Sequence, residues 1–223
     1  MNRFKTILFS LSFFLLSWVL IFTTVDICSF DKGFYKKEYA AADTAAEIGM
    51  SDKDLFRSTE ALLDYLQDKR DDIVVEADVL GEKREVFNER ETLHMVDVKA
   101  LYQDTVKLRN IFFLIGIGIF GTGVILAGKQ TLLYCRRGFK YGVGLTVLFV
   151  AMAAFYAVLD FTNFWINFHR LLFKNDLWIL DPNTSIMINM FPENFFGDLV
   201  MKIITIVTTV LVLVGAVLFI PRR

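Results

Sequence analysis

Four long runs without one charged residue govern what this chain can become. Ile7–Val25 reads ILFSLSFFLLSWVLIFTTV, and Ile111–Gly128 reads IFFLIGIGIFGTGVILAG. Tyr141–Leu159 reads YGVGLTVLFVAMAAFYAVL, and Ile203–Ile220 reads IITIVTTVLVLVGAVLFI. Each has 18 or 19 residues, the length a helix needs to cross a hydrocarbon core of about 30 Å. No amphipathic period interrupts them, so they do not read as helices of a soluble core. The apolar fraction of 55% and a mean hydropathy of +0.47 agree, and with 22% charged residues a disordered chain is excluded. The runs therefore predict four transmembrane helices.

The net charge of −1 carries no information as a total. It offers no basic excess for nucleic acid, and none is expected as a partner. Divided along the chain it fixes a topology. Arg3 and Lys5, then Lys129, Arg136, Arg137 and Lys140, then Arg222 and Arg223, lie in three pieces that hold no acid. Segment 26–110 holds 13 basic and 20 acidic residues, and segment 160–202 holds 3 and 5. Positive charge marks the cytoplasmic side. The expected fold is thus a membrane all-α core of four transmembrane helices, N-in and C-in. A small α+β extracytoplasmic cap lies between helices 1 and 2. The boundaries are 1–25 for the N-terminus and first span, 26–110 for the cap, 111–128 for the second span and 129–140 for a cytoplasmic loop. Then follow 141–159 for the third span, 160–198 for an outer aromatic-rich interfacial segment, and 199–223 for the last span and C-terminus. The chain is expected in the cell membrane as a multi-pass protein.

The first run reads as an uncleaved anchor. It is longer than the apolar core of a signal peptide, which spans about 7–15 residues. No A-x-A site follows closely, and Asp26 and Ile27 precede Cys28 where a lipoprotein cleavage site needs small residues. Cys28 and Cys135 fall on opposite sides and cannot bond within one chain.

Within 26–110, Ser51 followed by Asp54 is a helix-start signature. Leu55, Phe56, Thr59, Leu62, Leu63 and Leu66 repeat at helical spacing, which predicts a helix over 52–69. A hairpin is expected from strands at 72–80 and 84–87, turning at Gly81 and Glu82. Asn88-x-x-Glu91 opens a further helix that runs into the second span and ties the cap to the membrane. Segment 160–202 carries Trp165, Trp178 and seven Phe among Asn, Asp and His. Asp181-Pro182 and Pro192 read as helix starts with Pro at the first position. Gly116, Gly118, Gly121, Gly123, Gly142 and Gly144 lie in the second and third runs and read as close-packing positions.

The chain has two His, His94 and His169. Both fall on the outer side at similar depth, so they can meet. Histidine is the side chain best suited to move protons near neutral pH. Against this stands the plain reading of a His at a membrane edge as an interfacial polar residue. Asp97, three residues after His94, either orients the ring as in a triad or is a surface Asp. A zinc site would need a third ligand, for which Asp97 or Asp176 would serve. No G-x-S-x-G, H-E-x-x-H, C-x-x-C or phosphate-binding glycine loop occurs. The apolar runs hold no ionisable side chain except Tyr, which argues against an ion path.

Two stretches carry a family resemblance. One is E-x-x-H-M-x-D-V-K, from Glu91 to Lys99. The other is F-H-x-L-x-F-x-N-D-x-W-x-L-D-P, from Phe168 to Pro182, with M-F-P-E-x-F-F-x-D from Met190 to Asp198. With four spans and an outer cap, the chain resembles the lipoprotein intramolecular transacylases of Gram-positive bacteria, known as Lit. Ser185 departs from the pattern, where Asp is expected.

The resemblance implies an enzyme acting on a diacylglyceryl-modified lipoprotein with a free N-terminal cysteine. It implies transfer of the sn-2 acyl chain from glycerol oxygen to the α-amino nitrogen, leaving a lyso-form lipoprotein. It implies His94 and His169 as the catalytic pair, within an aromatic pocket. For that pocket we expect Tyr102, Phe164, Trp165, Phe168, Phe173 and Trp178, with Asp97, Asn167 and Asp176 in support. One His takes the amine proton, the other protonates the departing glycerol oxygen, and no acyl-enzyme is needed. Ester to amide is downhill, so no cofactor and no metal are expected. The partners are the diacylated lipoprotein and membrane lipid, met by a monomer with its site at the extracellular face. Two other readings stand beside this one. One is a metal-dependent membrane lipid hydrolase; the other is a non-enzymatic membrane protein whose cap binds a partner through the 52–69 helix.

Overall fold

The computed structural model describes residues 2–192 and 194–220. Glu193 of the third motif and the C-terminal Arg222 and Arg223 lie outside the described residues. In chain order the elements are α1 (Arg3–Ser29), α2 (Lys32–Ala42), α3 (Thr44–Ile48), α4 (Asp52–Leu66), β1 (Glu76–Val79), β2 (Glu82–Glu85), α5 (Glu89–Ala127), α6 (Thr131–Leu159), α7 (Phe161–Leu172), α8 (Ile186–Asn189) and α9 (Phe195–Phe219).

Among the described residues, three continuous helical stretches are long and apolar enough to cross a membrane: Arg3–Ser29, Glu89–Leu159 and Phe195–Phe219. The second and third apolar runs share the middle stretch. A 3₁₀ turn at Gly128–Gln130 divides it into α5 and α6, with Gly128 at φ 53°, a left-handed value natural to glycine. The expected loop over 129–140 is therefore a three-residue turn. Arg136, Arg137 and Lys140 sit on the first turns of α6. Helix extends there because Thr131–Lys140 contains no breaker beyond Gly138, and Arg136 Nε donates to the Leu218 carbonyl at the end of α9.

The chain divides into two compact units. The apolar unit comprises residues 1–26, 105–165 and 202–223. In it, Gly123 faces the Phe9 ring and Gly116 faces Leu15 and Leu16, so α5 runs antiparallel to α1. Gly138 faces the Phe9 backbone and Gly142 faces Ser10 and Phe14, so α6 runs parallel to α1 and antiparallel to α5. A Cβ on Gly142 would stand 2.4 Å from the Ser10 carbonyl oxygen, which is why this contact needs glycine. Gly118, Gly121 and Gly144 have no such neighbour among the described residues. Phe9 is fully buried, against Phe120 and Tyr134. Ser12 Oγ donates to the Gly116 carbonyl at 2.9 Å, and Arg109 meets Asp26 at 2.7 Å.

The mixed unit comprises residues 27–104 and 166–201. Its core gathers Leu55, Leu62, Ile73, Val79, Phe87, Met95, Met190 and Phe195. The predicted helix forms over Asp52–Leu66, and Asp54 N donates to Ser51 Oγ at its start. Residues 32–48 form α2 and α3, which the sequence reading did not anticipate. Asp31 caps α2 by accepting from Gly33 N and Phe34 N. The hairpin is antiparallel with Val79 opposite Glu82, so the turn is Leu80-Gly81, one residue earlier than expected. A two-residue turn of this hand needs positive φ twice. Gly81 takes 85° readily, and Leu80 is held at 56° with its N–H on the Gly49 carbonyl.

Pro182 does not start a helix. Asp181 closes a turn instead, its Oδ1 accepting from Asn183 N, and α8 begins after Ser185, whose hydroxyl accepts from Ile188 N. Pro192 likewise lies in the approach to α9, its carbonyl accepting from Phe195 N.

Candidate active site

The first turns of α5 set one wall of the site. Asn88 and Glu91 cap each other reciprocally: Glu91 N donates to Asn88 Oδ1 at 3.0 Å, and Asn88 N donates to Glu91 Oε2 at 2.6 Å. That closure fixes the helix phase. Arg90, His94 and Asp97 then recur at spacings of four and three, on one face.

All three engage the segment 173–181 that follows α7. Arg90 donates to the Ile179 carbonyl at 3.0 Å and to the Asp176 carbonyl. The His94 ring meets Phe173 edge-on with centroids 5.5 Å apart. Asp97 Oδ2 accepts from Asn175 Nδ2 at 2.8 Å. Segment 173–181 has no helix or strand of its own, so these side chains hold it.

His169 stands in the last turn of α7 and is buried. Its ring lies 4.7 Å from Trp178 in a stack tilted by 25°. Phe173 lies 5.8 Å from it and Phe168 5.4 Å. Phe173 thus touches both imidazoles, and the two His meet around one ring.

The electrostatics are uneven. Burial holds the His94 imidazole below its ordinary value, and the charges of His169 and Arg90 act the same way, while Asp97 opposes them. His94 is therefore neutral near pH 7. Its Nδ1 is buried and has no hydrogen-bond partner among the described residues; the same holds for Trp178 Nε1. Asp97 acts on His94 through charge, because its hydrogen bond goes to Asn175 and not to the ring nitrogen Nδ1. The triad-like orientation considered from sequence is not made at that atom.

Asp176 is exposed, and its carbonyl takes the Arg90 bond. Asn167 is exposed on α7. Tyr102 packs on Phe30 with centroids 5.1 Å apart. Phe164 and Trp165 belong to the apolar unit, where Phe164 meets Tyr156 and Trp165 stacks on Phe161. Among the described residues no three of His, Cys, Asp and Glu are grouped so as to hold a metal ion.

A family model described as lipoprotein intramolecular transacylase Lit matches residues 9–196. The chain belongs to the Lit family. It is a transacylase, an enzyme of the membrane. The fold agrees. The in meso structure of membrane-integral Lit from Bacillus cereus superposes with a TM-score of 0.71 at 19% identity, covering 96% of this chain and 92% of that one. A second structure of that protein, with a histidine replaced by arginine, gives 0.69 at 19% identity, covering 98% and 90%. A third, with a histidine replaced by alanine, gives 0.69 at 19% identity, covering 98% and 92%. Curated proteins give no match.

In this Lit family member, Arg90 stands beside the His pair without having been singled out by any motif, although it lies four residues before His94 on the same face. Glu91, which the sequence marks as a capping residue, has a second task. It is fully buried, and its Oε1 accepts from Ser185 Oγ at 2.5 Å and from Met187 N at 2.7 Å. Ser185, the departure from the family pattern, thus caps α8 and meets the Glu91 carboxylate at once.

Proposed function

We propose that this Lit enzyme moves the sn-2 acyl chain of a diacylglyceryl-cysteine lipoprotein onto its own α-amino group by acid–base catalysis between His94 and His169. The observation that carries the reading is the convergence of both imidazoles on Phe173, with His94 held neutral. His94 is the base. An α-amino group has a pKa of about 7.7–8.0, so it gives one proton to solvent to become the free amine, and the neutral His94 imidazole takes the second as the nitrogen adds. The free amine adds to the ester carbonyl carbon, and the C–N bond forms. His169 is the acid. It sits in the last turn of α7 and against the face of Trp178. It protonates the glycerol oxygen as the C–O bond breaks.

Nucleophile and ester share one molecule, so the protein's task is geometry. Holding two groups in contact is worth about 7–11 kcal/mol in well-oriented cases. Phe168, Phe173 and Trp178 line the site, and Arg90 and Asp97 hold the segment that carries Trp178. Tyr102 is assigned to acyl-chain contact, and Asn167 and Asp176 to the polar rim.

The core has four spans, N-in and C-in, and the monomer presents its site at the extracellular face of the cell membrane. The antiparallel course of α5 and α6 supports two crossings in the stretch 89–159. Eight basic residues in the three acid-free pieces support the orientation.

Expression in a bacterial strain lacking N-acylation of lipoproteins tests the function. Mass spectrometry of a lipoprotein N-terminus should show one acyl chain on nitrogen and one on glycerol. Free fatty acid with chelator-sensitive loss would instead identify a metal-dependent hydrolase. An unchanged N-terminus would remove the transacylase reading.

A further inference from the structure

Trp178 carries the only polar atom of its side chain, Nε1, buried and without a hydrogen-bond partner among the described residues. A buried indole N–H is ordinarily paired, and an orphaned donor in a native site calls for an explanation. Its neighbours are already committed. Asn175 Nδ2 donates to Asp97, Leu177 N to Asn175 Oδ1, Ile179 N to the Asp176 carbonyl, and Leu180 N to the Trp178 carbonyl. The Arg90 guanidinium is committed to the Asp176 and Ile179 carbonyls.

An indole N–H donates only and does not lose its proton near neutral pH. It therefore suits an oxygen that gains negative charge. The indole also lies in a plane tilted by 25° from the His169 imidazole, with centroids 4.7 Å apart. Two donors in adjacent, nearly parallel layers suit the two oxygens bonded to one ester carbon.

We propose that the Trp178 indole N–H donates to the ester carbonyl oxygen of the lipoprotein substrate and to the oxyanion formed when the amine adds. The proposal rests on the transacylase reading and supplies the electrostatic part that the two His leave open. The amine nitrogen bonds to the carbonyl carbon, and its proton goes to His94. The carbonyl oxygen takes the electron pair and receives the Trp178 hydrogen bond. Collapse returns that pair, breaks the C–O bond, and the glycerol oxygen takes a proton from His169. Segment 173–181 is held by side chains rather than by a ladder of backbone bonds, so it can part as the acyl chain seats.

The test uses the full-length enzyme in detergent or bilayer with a synthetic diacylglyceryl-cysteinyl lipopeptide. Trp178→Phe keeps a stacking ring and removes the N–H. Its kcat should fall by about 10²–10³-fold, with KM within about threefold and the acid limb of the pH profile unmoved. Replacing Trp178 by benzothienylalanine, an isostere without N–H, should do the same, and it serves if Trp178→Phe does not fold. Wild-type kcat in either folded variant overturns the donor assignment while leaving the transacylase reading intact. So does a rise confined to KM, which would mean that the ring only packs lipid. A wild-type enzyme that makes no lyso-form product overturns both.

Discussion

His169 and Trp178 lie face to face at 4.7 Å, on elements nine residues apart in the chain and joined by a segment that α5 holds in place. The stack links the end of α7 to segment 173–181, and Arg90 and Asp97 link that segment to the helix of His94. The two imidazoles are thereby held by one connected set of contacts.

Replacing either His should abolish the acyl shift. His94→Ala and His169→Ala should each lower turnover by about 10²–10⁴-fold, the range for a positioned acid or base. Both proteins should keep the wild-type thermal transition within a few degrees. Lipoprotein mass spectrometry reads the first outcome and a thermal melt the second.

The pH profile should show His94. Its folded value lies below the ordinary imidazole value of about 6.5. The unfolded chain therefore binds this proton first as pH falls, so His94 favours unfolding below about pH 6.5 and not above it. The acid limb of kcat/KM should accordingly lie below pH 6.5. Arg90→Gln removes a repelling charge and should move the limb to higher pH.

Asp97 has two separable tasks. Asp97→Asn keeps an oxygen to accept from Asn175 but removes the charge that favours the imidazolium. Its acid limb should move to lower pH with kcat nearly unchanged. Asp97→Ala also frees segment 173–181, and its kcat should fall by about tenfold or more, since loss of reacting geometry is costly. Equal profiles for the two variants would contradict this division.

Glu91 should matter to stability before it matters to rate. Glu91→Ala leaves Asn88 N, Ser185 Oγ and Met187 N without their acceptor. Each orphaned buried donor costs about 1–3 kcal/mol. The variant should melt clearly below wild type, and Ser185→Ala should lose less.

Gly142→Leu should prevent assembly of the apolar unit. The Cβ alone would stand 2.4 Å from the Ser10 oxygen and 2.7 Å from Phe14 N, both backbone atoms of α1. Gly144→Leu, with nothing within 4 Å, should express normally. Yield of folded protein in membranes distinguishes the two.

Local features were legible where the chemistry is local. Ser51 and Asn88 announced their helices because a cap needs only residues three apart. The shift of the hairpin turn to Leu80-Gly81 was not legible, because the Gly49 carbonyl that fixes Leu80 is remote in sequence. α2 and α3 escaped for a related reason: Phe34, Tyr35 and Tyr39 are buried by tertiary packing, not marked by a long periodic run. The start of α6 was missed because charge was read as loop, whereas Arg136 is satisfied by a carbonyl at the end of α9.

The sequence by itself determined the apolar spans, the charge asymmetry, the two His and the family motifs, since each rests on composition or short spacing. Tertiary structure alone decided that Asp97 bonds Asn175, that Arg90 clamps segment 173–181, and that Glu91 receives Ser185. Those pairs lie 78 to 94 residues apart in the chain. Hydrogen bonds form between atoms about 3 Å apart, and no spacing rule in a sequence encodes a distance across the intervening helices α5, α6 and α7.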